Sequence, residues 1–284
     1  MTEVERSAHA KINLFLRVGA LRGDGYHEIE TLVAPISLHD TVRVTPADGL
    51  GVEVVGPAAR AAEVPVGGLN LAIVAALALG DACAGRGAAI RIEKRIPAAA
   101  GLGGGSADAA ATLHALNELW GCGLDAASLA TVAERIGSDV PALVLGGPVL
   151  ATGRGERVAP VEVATTWWVL LHLADGVRSP DAYRWFDEDG GVAGPDPAPL
   201  LAAARAGDAA VLAPLLYNDL EAPVVRRNPA IGEGLERLRA AGVLAARMSG
   251  SGSSVVGLCG DEAHARSMAA AVPGASVVST LGRG

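Results

Sequence analysis

The sequence predicts an α+β fold with two domains. Runs with the two-residue alternation of strands are interspersed with segments that have helical caps and apolar faces. Their order lacks the strict βαβ repeat of a doubly wound parallel sheet, which favours α+β over α/β. The character of the sequence changes near residue 160, and 284 residues suffice for two ordinary domains. We therefore predict an N-terminal domain over residues 1–160 and a C-terminal domain over residues 161–284.

The first predicted element is a strand. Between residues 8 and 18, apolar side chains alternate with His9, Lys11, Asn13 and others, which indicates a half-buried strand. Lys11 and Asn13 then lie side by side on its polar face. Further strand-like runs follow at residues 29–38, 41–45, 51–55 and 88–93.

Three helices are predicted in the N-terminal half. Asn70 is a suitable N-cap for an apolar helix that reaches Cys83. Ser106 is expected to open a helix over residues 107–120, with Asp108 in its first turn, where a carboxylate suits the helix dipole. Asp125 begins a third helix that ends near Gly137.

The C-terminal half contains a mixture of strands, helices and one long loop. Six residues, all glycine or proline, mark residues 190–199 as the loop. Strands are predicted at residues 166–173, 244–248 and 275–280, with another after residue 254. Helices are predicted at residues 182–186, 199–206, 209–216, 229–241 and 262–271.

Composition excludes several classes of function. The mean hydropathy is +0.35, but no apolar run reaches the roughly 18 residues of a membrane span. The first residues lack the features of a signal peptide, so we expect a cytoplasmic protein with no membrane partner. A net charge of −8 argues against nucleic acid as a partner, because its binding needs a basic surface.

Cysteine and lysine usage is also informative. Cys83, Cys122 and Cys259 are far apart with no CxxC spacing, so we expect neither zinc nor disulfides, and each is interpreted as a small apolar filler. Of 23 cationic residues only Lys11 and Lys94 are lysines, so each lysine is a candidate for a specific role.

The most distinctive segment is a glycine-rich loop before the helix predicted at residue 107. It is Pro97-Ala98-Ala99-Ala100-Gly101-Leu102-Gly103-Gly104-Gly105-Ser106. Glycines before a helix expose backbone N–H groups at the positive end of the dipole, where anions bind. The competing interpretation is a linker with Ser106 as an ordinary N-cap.

Two better-known phosphate loops do not fit this segment. A Walker A loop needs lysine and then serine or threonine after its last glycine, whereas Ala107 and Asp108 follow Ser106 here. A dinucleotide-binding fingerprint needs a βαβ unit, but a second helix follows instead. A dinucleotide-dependent oxidoreductase is therefore disfavoured.

At several positions the sequence resembles the GHMP kinases, the superfamily of galacto-, homoserine, mevalonate and phosphomevalonate kinases. The similar segments run in family order over nearly the whole chain. They are Ala10-Lys11-Ile12-Asn13-Leu14, Asp24-Gly25-Tyr26-His27-Glu28, Gly101 to Ala111, Gly137-Ser138-Asp139-Val140-Pro141, Asn218-Asp219-Leu220-Glu221 and Ser249-Gly250-Ser251-Gly252. The glycine loop is common to the superfamily, whereas the first, second and fourth segments favour a member that acts on a cytidine diphosphate substrate.

The resemblance implies a fold and a reaction. The implied N-terminal domain is similar to domain 2 of ribosomal protein S5, and the C-terminal domain is ferredoxin-like. The implied reaction transfers the γ-phosphoryl group of ATP, with Mg²⁺, to the 2-hydroxyl of a methylerythritol carried on cytidine diphosphate. Homoserine kinase is the alternative within the superfamily, disfavoured by Tyr26 and His27. An RNA-binding module is the alternative suggested by the S5 topology, disfavoured by the net charge.

The resemblance also assigns catalytic and cofactor-binding residues. Asp139 matches the catalytic aspartate and Lys11 the active-site lysine; without the resemblance they would be a helix cap and a solvated lysine. The cofactor-binding residues would come from the glycine loop. They are Pro97, Gly101, Leu102, Gly103, Gly104, Gly105 and Ser106. No carboxylate stands out as a Mg²⁺ ligand, so we expect phosphates and water to hold the ion.

Substrate-binding residues are expected in three places. Tyr26 and His27 match the cytidine-binding pair, and Asn13 is a candidate hydrogen-bonding partner. Tyr183 or Trp185 would form the second wall of the cytosine slot, whereas core packing is expected for the neighbouring Trp167-Trp168 pair. One departure from the family is that Ser253-Ser254 follows Gly252 in the last of the similar segments, where proline and threonine are usual.

Overall fold

The computed structural model describes residues 3–59, 67–83, 85–173 and 176–282. It divides into two compact units, and neither is one continuous stretch of chain. The first unit comprises Met1–Lys11, Leu38–Ala98 and Gly103–Gly146. The second comprises Ile12–Ser37, Ala99–Leu102 and Gly147–Gly284. A domain boundary at residue 160 stays a prediction.

The predicted strands and helices are present close to their predicted positions, but the elements at residues 140–144, 149–153, 157–160, 217–218 and 221–227 were not predicted. The strands are β1 (Val4–Leu21), β2 (His27–Pro46), β3 (Leu50–Val55), β4 (Ala88–Glu93), β5 (Val149–Gly153), β6 (Arg157–Pro160), β7 (Trp167–Leu171), β8 (Tyr217–Asn218), β9 (Ala245–Met248), β10 (Val255–Cys259) and β11 (Ala275–Ser279). The helices are α1 (Leu71–Cys83), α2 (Gly104–Trp120), α3 (Ala126–Ala133), α4 (Val140–Val144), α5 (Ser179–Glu188), α6 (Ala198–Ala206), α7 (Ala209–Leu212), α8 (Glu221–Arg227), α9 (Pro229–Ala241) and α10 (Glu262–Ala271). The mixture of antiparallel strands and helices confirms the α+β class.

In the first unit, a sheet in the order β3-β4-β2-β1 accompanies helices α1 to α4. Residues 41–46 of β2 pair antiparallel with β4, and β3 pairs parallel with β4. The inward-facing residues of β4, Ala88, Ile90 and Ile92, are buried, as its period-two pattern predicts. Helix α2 packs along α1 and α4.

In the second unit, one sheet has the order β6-β5-β2-β1-β8 and a second has the order β11-β7-β10-β9. The second sheet is antiparallel throughout. Its buried residues, including Val169, Leu171 and Val255, form a core with α8 and α9. Trp168 is fully buried, in agreement with the core-packing role expected for it.

Two predictions about the first strands were wrong. β1 is not half-buried: residues 10–16 are buried on both faces, including Lys11 and Asn13. Alternation cannot show this, because a polar residue can lie inside a protein when its groups find partners. The runs at residues 29–38 and 41–45 are also parts of one continuous strand, β2.

The beginning of α2 differs from the prediction. The helix starts at Gly104, three residues before the predicted Ala107, and Gly103 is its N-cap in the left-handed conformation. Ser106 is therefore inside the first turn and is not the cap. Asp108 is in the second turn, so its carboxylate is not the dipole partner that was expected.

The expectation for two of the cysteines was also wrong. Cys83 and Cys122 form a disulfide bond, with their Cα atoms 5.5 Å apart. They are 39 residues apart in sequence, but they lie at or just beyond the carboxyl ends of α1 and α2, which pack side by side. Cys259 is a free, buried thiol, as predicted.

Among the described residues, no helix combines the length and the apolar character that a membrane span requires.

Candidate active site

The glycine loop turns sharply before α2. Gly101 and Gly103 have φ values of 73° and 68°, in the left-handed region that favours glycine. A Cβ atom on Gly101 would lie 2.3 Å from the carbonyl oxygen of Ser249. The backbones at Gly101 and Ser249 are therefore so close together that only glycine fits at position 101. The N–H groups at the start of α2 have no partner within the helix, as in any α-helix, and they can bind an anion.

The other loop residues differ in what they can offer. Pro97 and Ser106 are half-buried, whereas the side chain of Leu102 is buried, so only its backbone could face a nucleotide. Gly105 is exposed in the first turn of α2. Gly104 has no left-handed φ, and a Cβ there would approach Ile96 and the Lys94 ammonium within 3.0 and 3.3 Å.

Lys11 and Asp139 form an ion pair in the first unit. Nζ of Lys11 lies 3.7 Å from Oδ2 of Asp139. The lysine side chain is 6% exposed, whereas the aspartate side chain is 46% exposed. A buried ammonium therefore faces a carboxylate that solvent or a substrate can reach. A Cβ on Gly103 would be 3.1 Å from Cγ of Lys11, so the loop packs against the lysine.

The local sequence explains why the Asp139 carboxylate is available. Asp139 is the N-cap of the short helix α4, but its side chain makes no capping hydrogen bond. Val140 and Pro141 are buried and fix the start of the helix. Because the carboxylate makes no hydrogen bond to the N–H groups of the helix, the interpretation of Asp139 as an ordinary helix cap does not hold.

His27 lies at the centre of a cluster in the second unit. Its Nδ1 is 3.0 Å from the carbonyl oxygen of Gly19, and its Nε2 is 3.1 Å from Oδ2 of Asp187. Both ring nitrogens therefore have a partner within hydrogen-bonding distance, and the two contacts fix the orientation of the ring. The ring stacks on Tyr183 at 5.6 Å and meets Phe186 edge-on at 6.1 Å.

One face of α5 supplies these contacts. Tyr183 and Asp187 are four residues apart, so they share a face of the helix, while Trp185 points elsewhere. Trp185 is partly buried, with the guanidinium groups of Arg184 and Arg227 5.9 and 5.7 Å from its ring. The structure thus brings Tyr183, and not Trp185, to His27.

The two remaining candidates have different surroundings. Tyr26 is 52% exposed, and the guanidinium of Arg154 lies 5.4 Å from its ring centroid. Asn13 is buried, and its Nδ2 donates to Oγ1 of Thr31 at 2.8 Å. Thr31 in turn donates to the carbonyl oxygen of Phe15.

The motif at residues 218–221 has a structural role within the second unit. Asn218 donates to the carbonyl oxygens of Met248 and Gly250. Asp219 accepts from the N–H groups of Val18 and Gly194, and Glu221 accepts from that of Met248. Burial raises the pKa of both carboxyl groups, and the backbone hydrogen bonds oppose this rise.

The serine-rich loop after β9 supports residues 99–102. Oγ of Ser249 donates to the carbonyl oxygen of Gly101, and the N–H of Ser254 donates to that of Ala100. Ser253 is fully buried, and its Oγ donates to the carbonyl oxygen of Leu173 at 2.7 Å. Ser253-Ser254, the departure from the family motif, thus has well-defined partners.

Sequence reasoning missed a buried cluster beneath the start of α2. Lys94 donates to the carboxylates of Asp40 and Asp108, at 2.5 and 2.8 Å. Oδ1 of Asp40 also accepts from the N–H groups of Arg95 and Ile96, which lead into the glycine loop. The scarcity of lysine marked Lys94 for attention, but nothing in the sequence pointed to its two partners.

Comparison with known protein families supports the resemblance. Residues 70–147 match the model of the GHMP kinases N terminal domain, and residues 200–277 match the model of the GHMP kinases C terminal domain. A solved structure described as 4-(cytidine 5'-diphospho)-2C-methyl-D-erythritol kinase is 39% identical, with a TM-score of 0.81. The match covers 99% of this chain and 100% of that one. A homoserine kinase from Cytophaga hutchinsonii, 18% identical with a TM-score of 0.76, shows the shared fold alone.

Curated relatives agree with this assignment. The 4-diphosphocytidyl-2-C-methyl-D-erythritol kinase of a Nocardioides species is 44% identical over 94% of this chain and 92% of its own length. The enzyme of the same name from Leifsonia xyli is 39% identical over 98% of this chain and 94% of its own length. The chain has the two-domain GHMP kinase fold, and it belongs to the 4-diphosphocytidyl-2-C-methyl-D-erythritol kinases of the GHMP kinase family.

Proposed function

We propose that this chain transfers the γ-phosphoryl group of ATP to the 2-hydroxyl of 4-diphosphocytidyl-2-C-methyl-D-erythritol, a step in the non-mevalonate pathway to isoprenoid precursors. The observation that carries the proposal is the pairing of the buried Lys11 ammonium with the accessible Asp139 carboxylate, next to Gly103 of the glycine loop. Phosphoryl transfer needs positioning and charge neutralisation more than covalent chemistry, and these groups supply both.

The proposed roles follow from the chemistry of the groups. Asp139 accepts the proton of the attacking hydroxyl, which makes the oxygen a better nucleophile. Lys11 offsets negative charge on the transferring group and holds the carboxylate in place. The N–H groups at the start of α2 bind the phosphates of ATP.

Mg²⁺ is expected to enter with ATP. Among the described residues, no group of three or more histidine, cysteine, aspartate or glutamate side chains could hold a metal ion. We propose that the phosphates and water provide most of its ligands, which is a common arrangement for this ion. When bound, it would neutralise phosphate charge.

The cytidine end of the substrate is assigned to the second unit. Tyr26 offers an exposed ring for stacking, and Tyr183 is held beside His27. Gly19 and Asp187 fix the orientation of the imidazole beside Tyr183, so the ring can support the stacking surface while the adjoining main chain reads the polar edge of a pyrimidine. Asn13 is the remaining candidate for a substrate contact.

The test is ADP formation with a panel of acceptors. We expect activity with the cytidine diphosphate substrate and much less with its uridine counterpart or with methylerythritol lacking the nucleotide. Homoserine is included as an acceptor because homoserine kinases share this fold. Phosphorylation of homoserine in preference to the cytidine substrate would refute the proposal.

A further inference from the structure

The buried cluster of Asp40, Lys94 and Asp108 lies wholly in the first unit. All three side chains are nearly inaccessible. Asp40 uses both oxygens, one for Lys94 and one for two backbone N–H groups. Asp108 uses only Oδ2; its Oδ1 is buried and has no hydrogen-bond partner in the described part of the chain. With both carboxylates ionised, the cluster carries one excess negative charge, and Asp108 is the less well satisfied carboxylate.

The excess charge lies beneath the start of α2. Asp108 follows Gly104 by four residues, so it is one turn, or about 6 Å along the axis, from the first residue of the helix. A Cβ on Gly104 would come within 3.3 Å of the Lys94 ammonium, so the cluster underlies this turn. The N–H groups of the same turn are those to which the proposed function assigns the phosphates of ATP.

We propose that Asp108 is a positioning residue that takes up one proton from solvent when ATP binds at the amino terminus of α2. The inference rests on the proposed function. Protonation removes the excess negative charge, and the Lys94–Asp40 ion pair remains to hold the loop entry. A hydrogen bond between the two carboxyl groups favours the protonated form of Asp108, with Asp40 as the acceptor.

The surroundings of Asp108 agree with this inference. The pKa of Asp108 is raised to about 7: burial is the main cause, Lys94 opposes the rise, and Asp40 adds to it. Asp40 on β2 and Lys94 next to β4 are the charged groups that face it. Helices α1, α3 and α4 contact α2, and the only acidic or basic side chain on their described residues, Asp81, is exposed on α1.

The direction of the pH effect follows from charge. Bound phosphates disfavour the ionised carboxylate, so the pKa of Asp108 rises in the complex. Between the free and bound values, binding takes up a proton and ATP affinity falls as pH increases, by at most about tenfold per pH unit. Well below pH 7 the group is already protonated, and the effect disappears.

The experiment measures proton uptake on ATP binding by calorimetry at pH 7.5, in two buffers that differ in ionisation enthalpy. We expect the wild-type enzyme to take up a substantial fraction of a proton more than Asp108→Asn. Asp108→Asn should bind ATP at pH 8.5 at least as tightly as the wild type. Protonation of ATP itself is the same for both proteins and cancels in the difference.

Glu118→Gln is the matched control, because Glu118 is an exposed carboxylate on the same helix. It should behave like the wild type. Equal proton uptake by Asp108→Asn and wild type would overturn the inference, as would a loss of ATP affinity in Asp108→Asn that is the same at every pH, because that is the signature of a purely structural role.

A measurement on the wild-type enzyme covers the case in which Asp108→Asn does not fold. The carboxyl ¹³C resonance of Asp108 should titrate at higher pH with ATP than without it. An unchanged midpoint overturns the inference and leaves the proposed function intact. Failure to bind ATP at any pH overturns both.

Discussion

At the scale of single residues, burial distinguishes the two members of the candidate catalytic pair. Lys11 is enclosed, whereas almost half of the Asp139 side chain is exposed, although the two charges are only 3.7 Å apart. An enclosed ammonium keeps a fixed position, so the charge next to the reacting groups needs no reorganisation during transfer. The exposed carboxylate remains accessible to the hydroxyl of a substrate.

Asp139 and Lys11 should therefore act as one catalytic unit. Asp139→Asn keeps the size of the side chain but cannot accept the proton, so we expect kcat to fall by about 10²- to 10⁴-fold with little change in substrate Kd. Lys11→Met should also lower kcat. The double variant should be little worse than the worse single variant in single-turnover measurements. Full additivity of the two losses would indicate independent roles.

His27 should govern recognition of the cytidine substrate. His27→Ala removes a ring that is held by Gly19, Asp187 and Tyr183, so the KM for the cytidine substrate should rise by about tenfold or more. The KM for ATP should stay nearly constant. Trp185→Leu is the control, because Trp185 lies on another face of α5. Equal increases in both KM values for His27→Ala would argue against a role in reading cytosine.

At the scale of secondary structure elements, α2 shows what sequence patterns can and cannot predict. Its end at Trp120 and the start of α3 after Asp125 were predicted correctly, because helix termini depend on local residues. Its first residue was missed, because Gly103 caps the helix through a left-handed backbone and not through a side chain. The burial of Lys11, the partners of Lys94 and the Cys83–Cys122 bond depend on contacts between distant segments, which no local pattern records.

The two ends of α2 provide a matched test of the glycine loop. Gly103 and Gly121 have φ values of 68° and 69°, so alanine at either position is strained by about 1–2 kcal/mol. A Cβ on Gly121 meets nothing within 4 Å, whereas one on Gly103 approaches Lys11. We expect both variants to lose similar stability, but only Gly103→Ala to lose ATP affinity and kcat. Equal activity of the two variants would show that the glycine loop has no role in catalysis.

At the scale of the whole molecule, buried carboxyl groups link stability to pH. The pKa values of Asp108, Asp219 and Glu221 are all raised, chiefly by burial. A carboxyl whose pKa is higher in the folded state binds protons more tightly there than in the unfolded chain. Its contribution to stability is therefore present at acidic pH and is lost as the pH rises through the folded-state pKa.

We therefore predict that the free energy of unfolding decreases between pH 5.5 and pH 8, with Asp108 alone contributing about 2 kcal/mol. Urea denaturation at the two pH values measures this difference. Asp108→Asn should reduce it, and Glu118→Gln should leave it unchanged. The exposed Asp24, Asp125 and Asp189 have lowered pKa values and titrate below this range. Greater stability at pH 8 would contradict the prediction.

The scarcity of lysine has a practical consequence for chemical labelling. The chain has two lysines, Lys11 and Lys94, and both are buried beside the loop assigned to ATP, while the remaining 21 cationic side chains are guanidinium groups. Reagents that acylate amines therefore find neither lysine on the surface of the folded protein. Acylation of Lys11 or Lys94 would require the structure around this loop to open, so the masses of the two tryptic fragments that contain these lysines would report on whether the loop is occupied.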